Sequence, residues 1–242
     1  MQINLKHISA TESWKNIVWT HNNYHTKLKK FGYRYERFVP NDERIYEFMN
    51  IEKTNLEQIK HYREIFINQI YKESDLTRLN DMITNDVIPN MLRAIEKQIT
   101  PLLSSWNAQL PEHIYIQCEY GVGGAYEYGK NPGIILRMSE FKGNQYGLLN
   151  ICLHEFVHIL IQKQIIDKYN VPQDLKERIV DIICLELFNK PVQPMFEKSF
   201  ANTYITPEVI KNNLADAVKK MMSDYKKYQT QRTDNEIKMA TA

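Results

Sequence analysis

Leu148-Leu149-Asn150-Ile151-Cys152-Leu153-His154-Glu155-Phe156-Val157-His158-Ile159-Leu160-Ile161 is apolar at nearly every position, and its central polar cluster is His154-Glu155 with His158. An element apolar on all sides is buried on all sides. The period predicts a helix from about Gly147 to Tyr169. Histidines four apart in a helix project from one face, one turn apart along the axis. Two neutral imidazole nitrogens so placed can bind one zinc ion at about 2 Å each. Glu155, one position round from His154, flanks that point and reaches a water held there without being a ligand itself. With seven histidines in the chain, such a motif arises by chance in roughly one sequence of this size in a hundred, so its surroundings decide. Two imidazoles and a carboxylate buried without partners cost several kcal/mol. A metal accounts for all three together.

A zinc site needs a third protein ligand, and Glu177-Arg178-Ile179-Val180-Asp181 offers one. Its carboxylates are four apart on one helix face, among Leu175, Ile179, Val180, Ile182, Ile183 and Leu185. Carboxylates that face an apolar core must meet cations, donors or a metal. The plainer alternative is an exposed acidic pair neutralised by Lys176 and Arg178.

Working outward, His113–Cys118 alternates as a strand, the glycines at 121–124 break it, Ala125–Tyr128 is short and extended, and Gly133–Met138 forms another strand after the turn at 130–133. Upstream, FGYRYERF (31–38) alternates as a strand, and Arg44–Met49 is its return strand after the turn at Pro40. Residues 55–72 and 76–104 are helical, with Pro89 expected to kink or split the second. After His158, Pro172 marks the start of a helix reaching about Asn189. Thr206-Pro207 caps a last helix to about Gln229, and 230–242 is a frayed, disordered tail. The fold class expected is α+β: mostly helical, with a small antiparallel sheet over the helix bearing the motif. The division expected is a helical lobe at 1–105, a catalytic core at 106–229, and the tail.

HExxH followed by a downstream ExxxD resembles the gluzincins, the thermolysin-like clan of zinc peptidases. The resemblance covers roughly residues 113–190. It implies a zincin-like fold with zinc held by His154, His158 and Glu177. It implies further that Asp181 accepts a hydrogen bond from His154, as metal-bound imidazoles require of their surroundings. Glu155 is then the general base and acid of amide hydrolysis, and the partner is a peptide or protein substrate. Gly123-Gly124-Ala125-Tyr126 resembles the edge strand that pairs with extended substrate in this clan. Larger members use a downstream histidine as oxyanion donor. No histidine follows His158 here, and Tyr204 is the candidate for that role.

Four other readings stand beside this one, the plainest being a helical interaction protein with no metal, which must treat the two spaced motifs as coincidence. Peptide deformylase carries HExxH with an upstream cysteine ligand, but Cys118 sits in Gln-Cys-Glu rather than Gly-Cys-Leu. Asp181 rather than Glu177 could be the third ligand. A zincin-like protein without activity would serve as a binding module, although binding alone has no need of Glu155.

Composition excludes other classes. The 31 basic and 29 acidic residues nearly cancel, for a net charge of +2, which argues against nucleic acid and an acidic membrane surface as partners. Basic residues from Lys27 to Arg37 interleave with aromatics, but Glu36, Asp42 and Glu43 make that a solvated face. Cys118, Cys152 and Cys184 are odd in number, widely spaced and set in apolar stretches, as free thiols of a reducing compartment are. The polar stretch Met1–Trp14 lacks the apolar run of a secretory signal. These features point to a cytoplasmic protein, and export by a dedicated apparatus would leave no such signal.

Overall fold

The computed structural model describes residues 1–24, 26, 29, 34–121, 123–137, 145–189 and 199–240. Side chains at Arg37, Gln145, Tyr146 and 231–240 are excepted. In chain order the main elements are β1 (Gln2–Lys6), α1 (Ala10–Asn23), α2 (Glu43–Asn50), α3 (Leu56–Ile65), α4 (Glu73–Met82) and α5 (Ile88–Ala94). There follow β2 (His113–Glu119), β3 (Gly123–Glu127), β4 (Gly133–Arg137), α6 (Gln145–Ile161), α7 (Gln173–Phe188), α8 (Pro207–Asn212) and α9 (Leu214–Ala240). The fold is α+β and mostly helical, with one small sheet. The chain divides into two compact units, one of Met1–Met91 with Glu112–Glu155 and one of Leu92–Pro111 with Phe156–Ala242.

The sheet of the first unit runs in the order β1-β2-β4-β3. It is mixed rather than antiparallel: β1 pairs parallel with β2, β2 parallel with β4, and only β3 with β4 is antiparallel. The turn after β3 makes the expected hairpin. The glycine break after β2 does not, because β4 inserts between β2 and β3. Burial explains the pattern. Ile134, Ile135 and Leu136 of β4 are all buried, and strands covered on both faces belong inside parallel sheets. Gly133 stands opposite Tyr115 in register. A side chain at Gly133 would collide with the Tyr115 ring, whose hydroxyl donates to Glu127 on β3. β1 was not expected. Its half-exposed alternation of Ile3 and Leu5 with polar neighbours reads as an ordinary polar terminus.

The same unit holds an aromatic core of Trp14, Ile17, Val39, Ile45, Phe48, Met49, Phe66 and Tyr120. The expected return strand Arg44–Met49 is instead α2. Asp42 caps it by accepting from the backbone N–H of Arg44 at 3.0 Å, and Ile45, Phe48 and Met49 recur at helical spacing on the buried side. Of the strand expected at 31–38, residues 31–33 lie outside the described residues, and Tyr35–Arg37 is a 3-10 turn. Glu119 at the end of β2 accepts from the side-chain amide of Asn16 on α1 at 2.8 Å and from Gln117, with Arg137 on its other oxygen at 3.5 Å. That buried carboxylate ties α1 to the sheet.

The helical stretch around Pro89 is interrupted as expected. A widened π-helical turn, Ile83–Val87, ends just before α5, in which proline is the second residue. Proline removes one N–H from the ladder, and such turns absorb the misfit.

In the second unit, Trp106 is fully buried and its indole N–H donates to the carbonyl of Ile210 at 2.8 Å. α6 leads into a π-helical segment, Gln162–Asp167. α7 begins directly after Pro172 and ends at Asn189, whose left-handed backbone (φ 53°) stops the helix. Thr206 caps α8, accepting from the N–H of Val209 at 3.3 Å. That helix stops at Asn212 rather than running on, and α9 continues to Ala240 instead of fraying at Gln229. Residues 230–240 contain no glycine or proline and are mostly good helix formers, so the backbone has no reason to leave the helix.

Candidate metal centre

α6 presents its polar cluster from within an apolar helix. His154, Glu155 and His158 are 5%, 8% and 1% exposed, while Leu153, Phe156, Val157 and Leu160 around them are buried. On α7, Glu177 turns one carboxylate oxygen, Oε2, toward Nε2 of His158 at 3.3 Å. His154, His158 and Glu177 each offer a ligand atom, and the three atoms all lie within 4.8 Å of one another.

The spacing of one pair, His158 and Glu177, suits a metal ion. Two ligands each about 2 Å from a tetrahedrally coordinated ion stand roughly 3.3 Å apart, which is the separation of the His158 and Glu177 atoms. The donor set of two imidazoles and one carboxylate leaves a coordination position open, as catalytic sites do. Neither Asp181 nor Cys118 belongs to this group among the described residues, which favours Glu177 as third ligand. Asp181 lies one turn beyond Glu177 on α7 and is 2% exposed.

Glu177 is held from its other side as well. Its Oε1 accepts from the side-chain amide of Gln173 at 2.7 Å, and the ammonium of Lys176 stands 3.6 Å away. Gln173 did not stand out in the sequence, whereas Lys176 was the expected neutralising cation of the plainer reading, and it does pair with Glu177. A glutamine four positions before a glutamate in a helix is a common surface pair.

Glu155 meets the sheet. A Cβ built on Gly124 of β3 would lie 2.6 Å from Oε1 of Glu155 and 2.5 Å from Cγ2 of Ile151. The glycine is therefore required by close approach to the carboxylate, not only by the bend at Gly121 and Gly123, where φ is 117° and 91°. Among the described residues β3 pairs with β4 alone and so is a sheet edge; Gly123, Gly124, Ala125 and Tyr126 along it are half-buried.

Tyr204 is placed differently from the other candidates. Its hydroxyl donates to Asp224 of α9 at 3.1 Å, and its ring packs on Phe200 with centroids 5.3 Å apart. Its pKa is raised by partial burial, by that hydrogen bond and by the charge of Asp224. The phenolic proton is thus committed to a carboxylate within the second unit. The three cysteines are buried and form no disulfide. Burial pushes the Cys118 thiol up to about 12 and raises that of Cys152 too, so neither offers a thiolate at neutral pH.

Among the described residues, no helix is long and apolar enough to cross a membrane. Comparison with protein-family models, curated proteins and solved structures finds no match to this chain.

Proposed function

We propose that the chain is a zinc-dependent hydrolase of the gluzincin type that cleaves amide bonds in peptides or proteins. The observation that carries this reading is the grouping of His154, His158 and Glu177 within 4.8 Å, with Glu155 next to His154 on the same helix. His154, His158 and Glu177 would hold the ion, and Asp181 would orient the His154 ring. Zinc, when bound, supplies a Lewis acid and an acidified water.

Everything else is done by the chain. Glu155 takes a proton from the attacking water and returns it to the departing amine. Its burial against β3 keeps the carboxylate aimed. An extended peptide adds to the free edge of β3 through backbone hydrogen bonds. Three buried cysteines without a disulfide suit a reducing, cytoplasmic setting.

The test is digestion of a mixed peptide library by zinc-supplied protein, read by mass spectrometry. Internal cleavage is expected, abolished by a chelator and restored by zinc. Folded, zinc-loaded protein that retains peptides without cutting them would instead establish a binding module.

A further inference from the structure

The two oxygens of Glu177 have different surroundings. Oε2 faces His158 at 3.3 Å, while Oε1 receives the Gln173 amide at 2.7 Å with the Lys176 ammonium 3.6 Å away. We infer that Gln173, with Lys176 beside it, is a positioning residue that keeps Glu177 a one-oxygen ligand and so preserves the coordination position the reaction needs. The inference rests on the metal-hydrolase reading.

A carboxylate can grip a metal with one oxygen or with two. Two-oxygen binding by Glu177, added to two imidazoles, supplies four protein donors and takes the position open to water in a four-coordinate ion, so that water could enter only as a fifth ligand. A hydrogen-bond donor on Oε1 opposes that rotation, because the bond must break before Oε1 can swing to the metal. Gln173 is well placed to supply it. It opens α7 and lies four positions before Glu177, so its amide stands over the same helix face. The bond it makes is short and well formed. Lys176 lies beyond hydrogen-bond distance and acts through its charge, from a side chain only 10% exposed. The division of labour follows: the amide fixes direction, and the ammonium makes Oε1 the less available oxygen.

The test compares wild type, Gln173→Met and Gln173→Lys in the full-length chain. Methionine keeps the length of glutamine but cannot donate, whereas lysine restores a donor on a flexible side chain one atom longer. Zinc affinity is measured against a competing chelator, and the coordination number is read from the absorption bands of the cobalt-substituted protein. Wild type is expected to give the intense bands of a four-coordinate ion. Gln173→Met is expected to bind zinc about ten-fold more weakly, with the weaker bands of a higher coordination number. Gln173→Lys is expected to recover both properties. Metal-free Gln173→Met should melt with the wild type, since the residue is exposed, so a purely structural role predicts no change in the cobalt bands.

Affinity within about two-fold of wild type and unchanged bands in Gln173→Met would overturn the inference while leaving the metal site standing. A Gln173→Lys variant that stays as impaired as Gln173→Met would also overturn it. Wild-type protein that binds no metal would bring down the underlying reading together with the inference.

Discussion

Glu155→Gln is expected to lower amide hydrolysis by roughly 10²–10⁴-fold while leaving the metal content unchanged. Glutamine keeps the shape of the side chain, and so its close approach to Gly124, but it cannot accept the water proton. Glu155 is not among the three residues that group as ligands, so the ion has no reason to leave. Thermal stability should hold or rise slightly, because a buried charge is replaced by a neutral amide. The comparison is made on kcat/KM with metal quantified in the same samples. Variant protein that keeps both its zinc and most of its activity would remove Glu155 from the mechanism. Variant protein that loses zinc would instead make Glu155 a ligand.

The second large effect is expected from Gly124→Ala, far from the motif in sequence. The new Cβ would stand 2.5 Å from Ile151 Cγ2 and 2.6 Å from Glu155 Oε1, well inside contact distance. Something must give, and the carboxylate is the more flexible of the two. Displacing a catalytic group by about 1 Å costs on the order of 10²-fold in rate. Overpacking costs about 1–3 kcal/mol of stability. The loss should therefore fall in kcat, with zinc retained and a modest drop in melting temperature. A β3 strand that tolerated alanine at 124 with full activity would mean that Glu155 has room to spare, and that the close approach constrains nothing. Substitution at Gly133 separates strand damage from active-site damage, because there the obstacle is the Tyr115 ring and not the base.

These two predictions reflect what the sequence could and could not reveal. The histidine pair and Glu155 were legible as candidates because helical spacing places them on one helix, where polar residues inside an apolar element demand an explanation, whereas Glu177 was preferred to Asp181 only through the resemblance. Thr206 and Pro172 were legible for a similar local reason, since capping is decided within one turn. Sheet order was not. Whether β4 pairs with β2 or only with β3 depends on long-range insertion, and the glycines at 121–124 look the same in either case. The aromatic alternation at 31–38 suggested strands, yet Asp42 and the spacing of Ile45, Phe48 and Met49 already carried the signature of α2. β1 escaped because two apolar residues in a polar pentapeptide are a weak signal until a partner strand is known. Gln173 and the contact of Gly124 with Glu155 are tertiary facts about residue types that mean little alone. Tyr204 shows the reverse: a plausible residue whose hydroxyl the fold directs to Asp224.

The most direct measurement is the metal content of purified full-length protein by elemental mass spectrometry, with wild type beside Glu177→Ala. The account predicts about one zinc per wild-type chain, the stoichiometry of a single catalytic site, lost in the variant although it remains folded. No stoichiometric metal in wild type after zinc is supplied and the excess removed, or a variant that holds zinc as firmly as wild type, would contradict it.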